Sequence, residues 1–161
     1  MNNFEIGKKK FERGLSFLLK QKYKEAEVEF IESLKYAPDR ISTIKNLILI
    51  YIKTEDKKKL SYLIKKNKHL ETTAELIFAK AYNEFFERKY DDAIKLCDFI
   101  IFKLENDLEF EILGLLAMCY KEKNFFLKSL KIYKKSLILF KKNYITYSKV
   151  GNLFFELGRL K

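Results

Sequence analysis

Tryptophan is absent from this sequence, histidine and proline each occur once, and glycine occurs only five times in 161 residues. A many-stranded sandwich or barrel needs turn residues at short, regular intervals, so this shortage excludes most all-β designs and leaves helices as the default. Catalysis needs positioned acids, bases or nucleophiles. The one histidine, His69, lies in the polar stretch KKNKHLETT and reads as a solvated loop residue rather than a catalytic one. The two cysteines, Cys97 and Cys119, fall in apolar helical stripes outside any metal or redox spacing and are expected as buried, reduced thiols. No glycine-rich phosphate loop, zinc pattern or calcium loop occurs, so neither a cofactor nor a metal is expected. The longest apolar run, LILIYI at 47–52, is far short of the roughly 20 residues that cross a bilayer. After MNNFEIGKKK the apolar residues are broken by charges too soon for a secretory hydrophobic region. The expectation is a soluble, cytoplasmic, non-enzymatic chain.

What is present is apolar surface and positive charge. Hydrophobic residues make up 48% of the chain, enough for a substantial core, and 15 phenylalanines and 10 tyrosines carry much of the packing. Basic residues outnumber acidic ones 33 to 22, giving a formal charge of +11, but only Arg13, Arg40, Arg88 and Arg159 are arginines. Dispersed lysine is weak evidence for nucleic acid, because phosphate recognition favours clustered cations and the bidentate guanidinium fork. Lysine-rich stretches such as Lys57, Lys58, Lys59, Lys65 and Lys66 therefore read as solvated faces, with nucleic-acid binding the last-ranked function.

The phrase KYKEAEVEFIESL at 23–35 returns as KYDDAIKLCDFII from Lys89 and more loosely as NFFLKSLKIYKKS from Asn124. Gly14, Ile48, Ala81, Ala117 and Gly151 form one column, with steps of 34, 33, 36 and 34. Ala26, Leu60, Ala93 and Ser129 form a second column, and Tyr23, Lys57, Tyr90 and Phe126 a third, both with steps of 34, 33 and 36. A fixed period in this range marks a repeat architecture. Each period holds two helical segments separated by two or three polar residues, too few for anything but an antiparallel helix pair. First helices are predicted near 8–20, 41–53, 74–87, 109–122 and 144–157, and second helices near 23–36, 56–68, 90–104 and 125–140. LILIYI alone would suit a buried strand, but the register places it in a helix. Small residues in the first two columns leave room where helices approach closely, which pairs Gly14 with Ala26, Ala81 with Ala93 and Ala117 with Ser129. The acidic pairs Glu25 with Glu27 and Asp91 with Asp92 begin second helices, where negative charge complements the helix dipole.

These residues resemble the tetratricopeptide repeat, a helix-turn-helix unit of 34 residues. The fourth unit carries the likeness as Leu113, Leu116, Ala117, Tyr120, Ser129 and Tyr133, and the first as Gly14, Phe17, Ala26, Phe30 and Pro38. The fifth contributes Tyr147, Val150, Gly151 and Phe154. No unit has the family's tryptophan, Lys80 and Glu84 stand in usually apolar columns, and the second unit, with Leu60 and Ile64, is the most degenerate, so its second helix is expected to pack irregularly. The resemblance implies an all-α, right-handed superhelix of about 4.5 repeats, in one array over 1–161 with units near 7–40, 41–73, 74–109, 110–143 and a partial 144–161. The incomplete fifth unit, with Val150, Leu153, Phe154 and Leu157, is expected to continue in a longer protein or to be covered by another copy.

The same resemblance implies a concave groove, lined by first helices, that receives a peptide or helix of a protein partner. Its lining would include Phe11, Leu15, Leu18, Lys45, Leu49, Ile52, Phe78, Tyr82, Phe85, Met118, Lys121, Glu122 and Phe155, apolar and aromatic at the centre. An apolar or amphipathic partner follows from that lining. One subset of the family clamps acidic chaperone tails with lysines, asparagines and an arginine; the corresponding positions here are Phe11, Leu15, Asn46, Glu75 and Ala79, of which only Asn46 fits. No such clamp is expected. The leading function is a non-catalytic protein-interaction module. The alternative is an N-terminal accessory region of a larger enzyme, for example a glycosyltransferase, with its catalytic domain beyond residue 161.

Overall fold

The computed structural model describes residues 2–103, 108–139 and 144–159. Among the described residues the chain is helical, without a strand: α1 (Asn3–Leu19), α2 (Tyr23–Tyr36), α3 (Ile41–Lys53), α4 (Lys57–Lys66), α5 (Ala74–Phe86), α6 (Tyr90–Lys103), α7 (Glu109–Glu122), α8 (Phe126–Leu139) and α9 (Tyr144–Arg159), with one 3-10 turn at Lys68–Leu70. These spans follow the periodicity of the apolar residues closely. The largest difference is α1, which starts at Asn3 because Asn2 and Glu5 form a capping box: the Glu5 N–H donates to Asn2 Oδ1 at 2.8 Å and the Asn2 N–H to Glu5 Oε2 at 3.1 Å. α4, the shortest helix at 10 residues, hands the chain to the 3-10 turn through buried Asn67, whose carboxamide donates to the Leu63 carbonyl at 2.8 Å.

Four turns share one construction. Gln21 (φ 56°), Glu55 (φ 53°), Arg88 (φ 63°) and Asn124 (φ 63°) all adopt the left-handed conformation, and the steps between them are 34, 33 and 36, those of the sequence columns. In each turn the following residue donates its N–H back to the carbonyl five positions earlier: Lys22 to Phe17, Asp56 to Tyr51, Lys89 to Glu84 and Phe125 to Tyr120, at 2.8–2.9 Å. The left-handed residue itself donates to the carbonyl three positions earlier. This double closure satisfies carbonyls that a helix end otherwise leaves unpaired. It reverses the chain in three residues, so each first helix is followed at once by its antiparallel second helix.

The chain forms two compact units, Met1–Ala79 and Lys80–Lys161, the division falling inside α5. In the first unit α1 packs along α2. Gly7 and Gly14 are buried on α1, and Ser33 Oγ donates to the Gly7 carbonyl at 2.9 Å. A methyl group on Gly14 would lie 2.6 Å from a ring carbon of Phe30, so the atoms filling the space beside Gly14 belong to Phe30, one turn along from the Ala26 that the register pairs with it. Ile44, Leu47, Ile48 and Tyr51 of α3 and Leu60 and Leu63 of α4 complete this core. Glu27 does more than complement a helix dipole. Its carboxylate accepts from the Tyr51 hydroxyl at 3.0 Å and from Lys59 Nζ at 2.8 Å, tying α2, α3 and α4 together. Burial, with the Glu27 charge beside it, pushes the Tyr51 hydroxyl well above its ordinary pKa, and the hydrogen bond to Glu27 raises that of Lys59.

In the second unit Ser129 Oγ donates to the Ala117 carbonyl at 2.7 Å, placing that pair in contact as the columns predict. Ala117, Leu130, Tyr133 and Leu153 form a cluster joining α7, α8 and α9, with Phe126, Ile132 and Val150 packed against it. The side chain of Leu157 lies outside the described residues. Cys97 and Cys119 are free and buried, and burial pushes the Cys119 thiol up to about 12 and the Cys97 thiol higher still. Asp91, at the start of α6, pairs with Lys123, and Asp92 with Lys95 at 2.9 Å. Ala26 and Leu60 in the first unit and Ala93 and Ser129 in the second are each 0% exposed, so one repeat column is buried throughout.

Candidate functional site

Each unit carries its own share of the residues proposed for a partner-binding face. In the first, Phe11, Leu15 and Leu18 on α1 and Lys45, Leu49 and Ile52 on α3 are all half-buried, while Phe78 on α5 is buried at 1% exposure. Phe11 is held from two sides. Its ring lies 5.7 Å from the Phe30 ring, and the Arg40 guanidinium stands 4.1 Å over its centre. Arg40 is the residue preceding α3, so this cation-π contact links one first helix to the start of the next.

In the second unit Tyr82 and Phe85 of α5 are half-buried members of an aromatic cluster. Ring centres are 6.1 Å apart for Tyr82 and Phe85, 5.8 Å for Tyr82 and Phe86, 6.2 Å for Phe85 and Phe86, and 5.6 Å for Phe85 and Tyr90. Tilted and edge-on geometries at these separations are favourable beyond the area they bury. Burial pushes the Tyr82 hydroxyl well above its ordinary pKa, so it stays protonated and able to donate at any physiological pH. Met118 and Lys121 of α7 are half-buried, and Glu122 and Phe155 are exposed. Lys149 of α9 reaches Met118 Sδ at 3.6 Å. Lys149 is a residue that the columns did not single out; its place is visible only once α9 lies beside α7. The contacts of Phe11 with Arg40 and of Met118 with Lys149 are alike in joining successive first helices within a unit.

His69 lies on the 3-10 turn, exposed, with Nε2 2.7 Å from Asp39 Oδ1 in the loop after α2. The pair links two loops. Among the described residues no group of three or more His, Cys, Asp or Glu side chains is placed to hold a metal ion. No helix among them is long and apolar enough to cross a membrane.

No protein-family model matches the chain, and no curated protein matches it. Solved structures do. PilF of Pseudomonas aeruginosa superposes with a TM-score of 0.70 at 13% identity, over 98% of this chain and 71% of that one. A MamA protein gives 0.57 at 18% identity, over 96% and 84%, and a MamA mutant 0.56 at 16% identity, over 98% and 91%. The fold is tetratricopeptide-like. At these identities the likeness is one of backbone, so the tetratricopeptide-like hairpins are established while the side chains on their faces have to be read from this chain alone.

Proposed function

We propose that this chain is a non-catalytic protein-interaction module whose first helices receive an apolar or amphipathic segment of a partner, and that it is not a clamp for acidic chaperone tails. The observation that carries the reading is the aromatic cluster of Tyr82, Phe85 and Phe86 on a first helix of a tetratricopeptide-like fold, joined by Tyr90 at the start of the second helix, all half-buried rather than fully enclosed. Aromatic residues are enriched where binding energy concentrates, because a large rigid ring buries much area at small entropic cost. On α7 half-buried Lys121 and exposed Glu122 give the same unit a polar margin beside half-buried Met118. The test is capture of partner proteins from source-cell lysate by the intact chain, by Tyr82→Ala and by Lys121→Glu, with helix content checked by circular dichroism. Partners lost from both variants at unchanged helix content support the reading. Equal capture by all three sinks it.

A second reading, association of two copies through α9, is favoured by one stripe on that helix. Tyr147, Gly151 and Phe154 are all exposed, and a methyl group on Gly151 would meet nothing within 4 Å. Sedimentation equilibrium of the intact chain and of Phe154→Asp decides it; a monomer at every concentration removes it.

A further inference from the structure

The outer side of α8 carries a feature that the first-helix reading leaves unused. Its inner side is occupied: Leu130 and Tyr133 are buried in the cluster with Ala117 and Leu153. Beside it lies an open cavity of about 460 Å³ whose lining includes Lys131, Lys134, Lys135, Ile138 and Leu139, with Ile132, which also packs against that cluster, at its inner edge. Ile138 is 72% exposed and Leu139 48%, so two bulky aliphatic side chains stand in solvent beside a helix whose core-facing positions are already filled. The three lysines are exposed and make no ion pair among the described residues.

We infer that this face binds an acidic amphipathic helix that seats an aliphatic side chain on Ile138 and Leu139 and sets its carboxylates against Lys131, Lys134 and Lys135. Charge complementarity selects the partner. Three uncompensated cations around an apolar floor repel a basic segment and leave a neutral one without polar partners, whereas carboxylates on either side of an apolar anchor satisfy both. The volume lies within the range of about 300–1,000 Å³ of ordinary ligand clefts, ample for one aliphatic side chain. An anionic bilayer fits less well, because a helix lying in the interface inserts a whole apolar face, and the face carrying Leu130 and Tyr133 is committed to the core. Single-stranded nucleic acid fits less well too, because among the described lining residues there is neither an aromatic ring nor an arginine. The surface lies on a second helix and does not depend on the first-helix reading.

The probe is a fluorescein-labelled synthetic helix with leucines at i, i+4 and i+7 and glutamates on both flanks, titrated with the intact chain by fluorescence anisotropy. A lysine-for-glutamate version, phosphatidylglycerol vesicles and a single-stranded RNA oligonucleotide serve as comparisons. Saturable binding of the glutamate peptide is expected. It weakens tenfold or more in Ile138→Asp and in the triple variant Lys131→Glu, Lys134→Glu, Lys135→Glu, and it weakens with added salt. Because Ile138 is exposed, its variant keeps the fold, and Leu139→Ser provides a second, uncharged reduction of the floor. Tyr82→Ala leaves this titration unchanged, so failure here and failure of the first-helix reading are separate results. The inference is overturned if the glutamate peptide does not saturate, if the lysine version binds as well, if the variants bind undiminished, or if vesicles or RNA bind in preference.

Discussion

Replacing Gln21, Glu55 or Arg88 by glycine should stabilise the protein, because each now holds a side chain in a conformation that L-residues enter at a cost. Their φ values are 56°, 53° and 63°. A residue with a Cβ loses about 1–2 kcal/mol in this region through the clash of that carbon with its own backbone. Glycine avoids the clash but has more freedom in the unfolded chain, which returns about 0.5–1 kcal/mol of the gain. The net is about 0.5–1 kcal/mol per turn. Among the described residues none of the three side chains makes a hydrogen bond or ion pair, so nothing is lost with it. The turns lie in different hairpins, and effects at separate sites add to within about 0.3–0.5 kcal/mol, so the triple variant gains roughly 1.5–3 kcal/mol. Asn124, at φ 63°, is the internal control. Asparagine enters this region more readily than other residues with a Cβ, so Asn124→Gly gains far less. Urea unfolding followed by circular dichroism reads the effect as a higher midpoint at an unchanged slope. A midpoint lowered by glycine at Gln21, Glu55 or Arg88, or a gain at Asn124 equal to theirs, refutes the reasoning.

Gly14 and Gly151 occupy one repeat column but should respond to alanine with opposite sign. At Gly14 the new carbon would stand 2.6 Å from the buried Phe30 ring, and overpacking of about 1–3 kcal/mol outweighs the roughly 1 kcal/mol that alanine gains in a helix, whereas at Gly151 the space is open and only the gain remains; urea midpoints of the two variants check this. Burial raises the Asp98 carboxyl above its ordinary 3.8, so the folded chain holds that proton more tightly than the unfolded one. The resulting cost to stability is absent below about pH 3.8 and grows as pH rises through the higher folded value; Asp98→Asn therefore stabilises at pH 7 and gives no gain at pH 3, as thermal melts at the two pH values would show.

The repeat was legible because the same physical demand recurs at each hairpin. Where two helix backbones cross closely, the side chain between them loses all access to water, and Ala26, Leu60, Ala93 and Ser129 meet that demand at steps of 34, 33 and 36. The left-handed turn residues keep the same steps, although Gln21, Glu55, Arg88 and Asn124 share no side-chain chemistry. That regularity could not be read from residue types, since glycine is the usual marker of such a turn and none of the four is glycine. The capping box that begins α1 was written in the sequence as Asn2 and Glu5, a spacing with a known meaning that lies before the first periodic apolar residue. At Gly14 the nearest atoms belong to Phe30, one turn beyond Ala26, because a column gives the residue that needs space and not the one that fills it. In this chain Phe30 has the reach to do so.

Burial of the face residues was less legible than burial of the columns, and the reason is geometric. A column residue is enclosed by its own hairpin, whose two helices are adjacent in sequence, so period alone decides its surroundings. A first-helix residue outside the columns is enclosed, or not, by helices a whole repeat away. Phe78 and Phe155 carried the same expectation, yet one is 1% exposed and the other 63%. The contact of Lys149 with Met118 spans 31 residues and that of Arg40 with Phe11 a comparable stretch, so neither follows from a local pattern. On α8 the period itself leaves Ile138 outside the core: nine residues after the buried column stand Lys35, His69, Phe102 and Ile138, and both Phe102 and Ile138 face water. Apolar residues beyond the demands of hairpin packing are where the proposed acidic helix would act, and Ile138 stands beside Lys131, Lys134 and Lys135, which make no ion pair among the described residues.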